Sequence, residues 1–353
     1  DWGFLGEEAR KIDWLLDNHQ LRKENALFVI EKPVSEEYRA EFARRGHRFE
    51  DVSGPVAFRR VTAGFLFSEF LSRSLPAWVR LLVAVFHSPS VFVQVVSRGW
   101  LEYLRWTVFL ERWRPRHYVA YNHFHYDHAF RNSLLRAAGC ESWYYVHSVN
   151  YRCAFHAAPD RLPVAQIDWA YLEYDHETHW ELLDRELYRR VHGRSRHYHL
   201  WGPLWSAHIQ PESRVTALVE QRKTVRTAGA VVAVFDTGFG LSAPYEENDI
   251  REFFEALAAM LDHPNWASRL LLFKPKNRPE GMPPSEVTAS LERLQRHPCC
   301  LSLNADFSPG TVIAEADLTV SLAFTSPTVE ALGARRRAFY FDPNGKFRES
   351  YYE

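Results

Sequence analysis

Three imidazoles and a carboxylate crowd one short stretch, Asn122-His123-Phe124-His125-Tyr126-Asp127-His128. Two chemistries suit that spacing. Neutral imidazoles and a carboxylate on a loop are zinc ligands that can activate a water, which makes His123, His125, Asp127 and His128 a candidate metal set. Without a metal, Asp127 is a candidate general base or nucleophile, with His125 or His128 orienting it. His147 follows the next apolar run and joins this set. The second half carries a different chemistry. Ser321, Thr325 and Ser326 precede Pro327, a residue favoured in the first turn of a helix. Hydroxyls and free amides at a helix N-terminus make an anion site. Glu330, one turn further, can accept hydrogen bonds from ribose hydroxyls. Upstream, Thr237 and Gly238 sit in Asp236-Thr237-Gly238-Phe239-Gly240, where glycines admit a phosphate or sugar close to the backbone. Lys274, in Lys274-Pro275-Lys276, can meet a phosphate as a point charge.

The elements that must position these residues alternate. Residues 7–18 read as an amphipathic helix, 26–30 as a buried strand and 36–45 as a helix. Residues 62–113 are the most apolar part of the chain. The run 81–97 is broken by His87, Ser88, Pro89 and Ser90, too polar a break for the roughly 20 apolar residues of a spanning helix. Residues 98–117 carry five Arg against two Glu with Trp interleaved, which reads either as a core helix or as a helix on an anionic membrane surface. From residue 117, strands (117–121, 143–146, 167–174, 197–200) alternate with helical stretches, including 129–138 closed by Gly139. On this register His147-Ser148 and Tyr174-Asp175-His176 fall at strand ends. The pattern restarts with strand 230–235, a helix begun by Asp249 with Glu252 as a capping pair, strand 270–273, helix 285–296, strand 300–303, helix 310–315, strand 318–321, helix 328–332 and strand 338–341. This predicts two α/β domains: 1–205, then a linker at 206–229, then 230–353.

Composition narrows the classes. Hydrophobic residues at 46% and charged residues at 25% exclude a disordered chain. A net charge of −1 removes a global nucleic-acid footprint, so no nucleic-acid partner is expected. Four Cys exclude a disulfide-built scaffold and suit a reducing compartment. The 12 Trp and 17 His exceed what a core needs and fit a site that stacks on sugars and binds hydroxyls. The chain opens on Asp1 and stops at Tyr351-Tyr352-Glu353, so a trimmed fragment, truncated at its C-terminus, is expected.

The segment ADLTVSLAFTSPTVEALGARRRAFYFD, residues 316–342, resembles the donor-nucleotide region of GT-B glycosyltransferases. More narrowly, it is similar to bacterial polysaccharide-biosynthesis proteins named for a PFTS motif, here Ala323-Phe324-Thr325-Ser326, with Ala in place of Pro. The opening KIDWLLDNHQLRKENALFVIE looks like the start of the same proteins. The resemblance implies an α/β, GT-B-like chain of two Rossmann-like domains facing a central cleft, the first for the acceptor and the second for a nucleotide sugar. It implies glycosyl transfer to a glycan or lipid-linked acceptor in bacterial surface polysaccharide assembly, with no required cofactor. Thr237, Gly238, Lys274, Ser321, Thr325, Ser326 and Glu330 would hold the donor, and Asp127, His125 and His147 would act on the acceptor. A Ser/Thr anion site without an Arg clamp suits a single phosphate, so a CMP-sugar is one expected donor. A cytoplasmic protein, peripheral on the inner face of the membrane, follows from a lipid-linked acceptor. The competing reading is a zinc-dependent hydrolase, since residues 123–128 match the H-x-H-x-D-H motif of metallo-β-lactamase-like enzymes. That fold needs upstream β-hairpins where this chain reads as helical.

Overall fold

The computed structural model describes residues 22–31, 36–44, 46–53, 91–121, 127–146, 172–182, 194–226, 229–237, 245–276 and 285–345, with single positions between 64 and 80 and between 185 and 189. The expected helix at 7–18 lies outside them. The described residues form two compact units. One runs to Val146 and resumes from Leu172 to Leu200; the other begins at Trp201.

In the first unit, β1 (Leu27–Ile30) pairs in parallel with β2 (Arg48–Asp51) after the helix α1 (Glu36–Arg44). Helix α2 (Val91–Arg112) precedes β3 (His117–Tyr121). Helix α3 (Asp127–Ala137) leads to β4 (Glu141–Tyr145), then come β5 (His176–His179) and β6 (His197–Leu200). These four strands lie in the order β3-β4-β5-β6, all parallel. Gly139 ends α3 with φ +79°, and Cys140 N–H closes back onto the Leu135 carbonyl at 2.9 Å. Helix α2 is a core helix: Trp106, Phe109 and Leu110 are buried with Val52, Leu135 and Cys140. Two of its arginines are met inside the unit, Arg105 by Glu102 at 2.8 Å and Arg112 by Glu50. This favours the core reading over a helix lying on a membrane. No helix among the described residues is long and apolar enough to cross one.

Strand β5 falls later than its sequence pattern suggests. The expected strand at 167–174 placed Tyr174-Asp175-His176 at a carboxyl end. Leu172, Tyr174 and Asp175 are buried but precede the strand, and His176 opens it. The strand itself, His-Glu-Thr-His, has no apolar residue, yet Glu177, Thr178 and His179 are buried. Neighbouring groups offset part of that cost. Ser195 donates to Glu177, His179 Nε2 lies 3.3 Å from Glu177 Oε2, and Thr178 donates to the Tyr144 carbonyl at 3.2 Å.

On one face of this sheet Trp143 stacks on His176 with centroids 3.8 Å apart, and His176 Nδ1 meets His199 Nε2 at 3.0 Å. Burial, then the neighbouring His197, holds both His176 and His199 below the ordinary imidazole value; Glu141 opposes this at His176. The unfolded chain therefore binds more protons than the folded one in mild acid. The stability these imidazoles confer is whole above about pH 6.5 and is lost as the pH falls below it. As the pH falls from about 7.5 to 5.5, the urea midpoint of His197→Gln should lose less, relative to its value at pH 7.5, than that of the wild type.

In the second unit, β7 (Ala230–Phe235), β8 (Arg269–Lys274), β9 (Cys300–Ser302), β10 (Leu318–Leu322) and β11 (Ala338–Phe341) form a parallel sheet in the order β11-β10-β7-β8-β9. The residues expected to be a linker carry helix α4 (Ser213–Arg226), whose Val215 and Val219 are fully buried in the core of this unit. The continuous apolar run of β7 makes physical sense because both of its faces are covered. Val232 and Val234 pack under α5 (Glu247–Asp262) and α6 (Glu286–Arg296). Val231, Ala233 and Phe235 pack under α4, α7 (Pro309–Ala314) and α8 (Ser326–Gly333). Helix α5 starts earlier than expected: its cap is Glu246, whose N–H donates to Asp249 Oδ2 at 2.9 Å, so Asp249 is the third residue of the helix.

Helix α8 rests on the short turn at Leu204–His208 through Gly333. A Cβ there would lie 2.7 Å from Pro203 Cγ and 2.9 Å from Ser206 Oγ. Gly333→Ala should lower stability by about 1–3 kcal/mol, read as a lower urea midpoint at unchanged slope.

Candidate functional site

The second sheet changes direction at β7: β8 and β9 are laid down on one side, β10 and β11 on the other. Open α/β sheets bind ligands outside the carboxyl ends of the strands at such a reversal. The residues following β7 and β10 therefore define the candidate site. They are the ones that carry Thr237 and the Ala323-Phe324-Thr325-Ser326 segment.

The turn from β10 into α8 is tightly built. Phe324 has φ +56°, a left-handed backbone that costs a bulky residue about 1–3 kcal/mol. Its ring is 2% exposed and lies 5.6 Å from that of Tyr340, centroid to centroid, at a tilt of 52°. Thr325 Oγ1 donates to the Leu322 carbonyl at 2.8 Å. The hydroxyls of Ser321 and Thr328 share a hydrogen bond at 2.5 Å, and Thr328 donates to the Phe339 carbonyl at 3.3 Å. Ser321 and Thr325 were expected to hold a phosphate with their hydroxyls. Both are buried and bonded within the turn, so they shape it instead. Ser326, the first residue of α8, is half-buried, and the first-turn amides of a helix have no partner within it. Glu330 is buried in the same helix.

The neighbouring strand ends are tied to this turn and to one another. Tyr245, just before α5, donates to the Ala323 carbonyl. Asp236, just after β7, accepts the Lys276 N–H at 2.5 Å. Lys274 ends β8, is buried, and donates to the Pro275 carbonyl at 3.2 Å. Asn344, after β11, donates to Asp249 at 3.0 Å. Thr237 is buried beside Asp236, and Gly238 lies outside the described residues. Sequence reading passed over Tyr245 and the bracing role of Asp236. An Asp closing a strand just before Thr-Gly was the available signal for the second; nothing marked the first.

In the first unit, Asp127 is the first residue of α3. Its side chain, together with His123, His125 and His147, lies outside the described residues. One face of α3 is latched to residues 173–175. His128 Nε2 accepts the Glu173 N–H at 3.2 Å, and its ring stacks on Tyr174 with centroids 5.1 Å apart. Arg131 donates to the Tyr174 hydroxyl at 2.7 Å and to Glu31 at 3.0 Å. Asn132 donates to the Glu173 carbonyl at 2.6 Å, and Arg136 pairs with Glu173 at 3.0 Å and Asp175 at 3.1 Å. Burial opposes the charge of Arg131, but Tyr118, Tyr174 and Glu31 hold its guanidinium protonated.

A family model for polysaccharide biosynthesis PFTS motif proteins matches residues 74–353. The chain belongs to this family. Its fold is the α/β, parallel-sheet fold of GT-B glycosyltransferases. Two crystal structures of HepE from Anabaena are similar to it. The one with UDP and glucose shares 11% identity at a TM-score of 0.55, covering 96% of this chain and 77% of that one. The one with UDP-glucose shares 10% at 0.53, covering 94% and 76%. No curated protein sequence matches the chain.

The PFTS fold overturns the zinc-hydrolase alternative, because the described strands form parallel sheets joined through helices rather than hairpins. His128 is buried at 0% exposure and its Nε2 accepts a backbone hydrogen bond, which commits that nitrogen to the fold. Among the described residues no group of three His, Cys, Asp or Glu side chains is placed to hold a metal. His128→Ala leaves the Glu173 N–H unpaired and should cost about 1–3 kcal/mol in urea unfolding, with zinc affinity unchanged from wild type.

Proposed function

We propose that this PFTS protein transfers a sugar from a nucleotide-activated donor to a hydroxyl of a glycan or lipid-linked acceptor during polysaccharide assembly. The observation that carries the reading is the strained, buried turn at Phe324. It lies in the family's own motif, at the strand reversal where an α/β sheet takes a ligand. Strain of this kind persists where surrounding packing over-determines it, and it gathers at binding sites.

In this reading the donor's diphosphate lies at the start of α8, against the Ser326 amide and hydroxyl and the Thr328 amide. Thr237 and Gly238 border it, and Lys274 neutralises part of its charge. Glu330 receives the ribose hydroxyls. Ser321 and Thr325 support the turn. The HepE structures carry UDP or UDP-glucose, which favours a uridine diphosphate sugar over the CMP-sugar expected from the hydroxyl pattern. Asp127 takes the proton of the acceptor hydroxyl, with His125 and His147 orienting it. The acceptor oxygen bonds to the anomeric carbon as the bond from that carbon to the diphosphate breaks. The leaving diphosphate is stabilised by helix amides and lysine charge, so no metal or other cofactor is needed. A lipid-linked acceptor would bring the protein to the inner face of the cytoplasmic membrane. The exposed Arg114 and Arg116 are the part of the basic stretch suited to that contact.

The test is release of nucleotide from a panel of UDP-, GDP-, TDP- and CMP-sugars with glycan acceptors. Turnover with UDP-sugars is expected. Asp127→Asn should lower kcat by about a hundredfold or more at unchanged melting temperature, and Glu330→Gln should raise KM for the donor. Unaltered transfer by Asp127→Asn would remove that residue from catalysis. Turnover with none of the donors, with no melting shift by any nucleotide, would reject the reading.

A further inference from the structure

Asp236 sits where two strand ends meet. It follows β7 directly, and its Oδ1 accepts the Lys276 N–H from the residues that follow β8, 2.5 Å away. These two strands lie side by side, with Phe235 opposite Lys274. The carboxyl is thus placed among the same residues that the donor reading assigns to the diphosphate. The charged groups facing it are Lys274, at the end of β8, and Lys276, just beyond. The preceding strand end supplies no charge of its own, since Phe235 is apolar and Thr237 is neutral.

We propose that Asp236 is a positioning residue that sets both the placement and the net charge of the donor-phosphate site, and that it takes up a proton when the anionic donor binds. This deepens the donor reading and rests on it. The argument is one of charge balance. With Asp236 ionised, its carboxylate competes with an incoming diphosphate for Lys274 and Lys276. With Asp236 protonated, both ammonium charges act on the phosphates, and a carboxyl oxygen still accepts the Lys276 N–H. A diphosphate brought beside the carboxylate favours the protonated form, so binding and protonation are linked. The carboxyl is already poised for this. Burial pushes it up to about 7, against the lowering effects of the Lys276 N–H and the two lysine charges.

The probe is UDP-glucose, whose diphosphate diester holds a constant charge between pH 6 and 9, so the ligand itself does not titrate. Isothermal calorimetry on the full chain should show affinity falling as the pH rises above neutral, by at most about tenfold per pH unit for one linked proton. Heats measured in two buffers of different ionisation enthalpy should report proton uptake by the wild type, a readout that needs no variant. Asp236→Asn keeps the acceptor oxygen and removes the charge. It should bind UDP-glucose at least as tightly as the wild type does in mild acid, with a flat pH profile and no proton uptake. Asp236→Ala also loses the acceptor and should bind more weakly at every pH, again with a flat profile. Wild-type binding that is independent of pH, or a slope retained in Asp236→Asn, would overturn the inference while leaving the donor reading intact. Folded wild type that fails to bind any nucleotide or nucleotide sugar would instead overturn the donor reading, and this inference with it.

Discussion

A bulky residue takes a left-handed backbone only when something else holds it there. At Phe324 the hold is the ring itself, buried beside Tyr340, together with the Thr325 hydroxyl on the Leu322 carbonyl and the Tyr245 hydroxyl on Ala323. The corner lets β10 stop and α8 begin within three residues, so the first-turn amides of α8 stand at the carboxyl edge of the sheet. Replacing Phe324 by glycine would release a strain of about 1–3 kcal/mol but forfeit the burial of a phenyl group, about 3–5 kcal/mol in a close-packed core. The second term is larger, so the strained turn is the stable one.

Around that corner the second unit braces its strand ends with hydrogen bonds made by side chains. Tyr245 fixes the residues before α5, Asp236 joins the ends of β7 and β8, and Asn344 reaches Asp249 from beyond β11. Each bond is worth only about a kilocalorie per mole net. Their value is geometric, because a site whose donors must lie within a few tenths of an ångström of a phosphate needs loops that do not wander.

The first unit solves a different problem. Its β5 is polar along its whole length and still buried over three of its four residues, with Ser195 on Glu177, Glu177 beside His179 and Thr178 on the Tyr144 carbonyl offsetting part of that cost. Helix α3 is held by His128, Arg131, Asn132 and Arg136, all on one face, to the residues that lead into that strand. That latch fixes the direction in which the helix leaves its first residue, Asp127. Of the residues that look like a metal motif in the sequence, His128 accepts the backbone N–H of Glu173.

Much of the second unit was legible in the sequence. Apolar runs such as Ala230–Phe235 name strands buried on both faces, and the spacing of Ile250, Phe253, Phe254, Leu257 and Leu261 names the helix that covers them. The Thr-Ser-Pro segment marked α8, and the motif around it marked the family. Those signals are local, set by period and by the chemistry of helix ends. Three features were decided only in the tertiary structure. The strand at His176–His179 is invisible to hydrophobic patterning, because its burial is compensated by Ser195 and by pairing within the strand. Residues 213–226 read as a polar, charged helix in a connector, and only the buried Val215 and Val219 show that this helix packs into the core. The roles of Ser321 and Thr325 depended on where their hydroxyls point, which sequence spacing does not encode. A hydroxyl at a helix start is equally able to bind a phosphate or a carbonyl, and the choice belongs to whichever partner the fold brings within 3 Å.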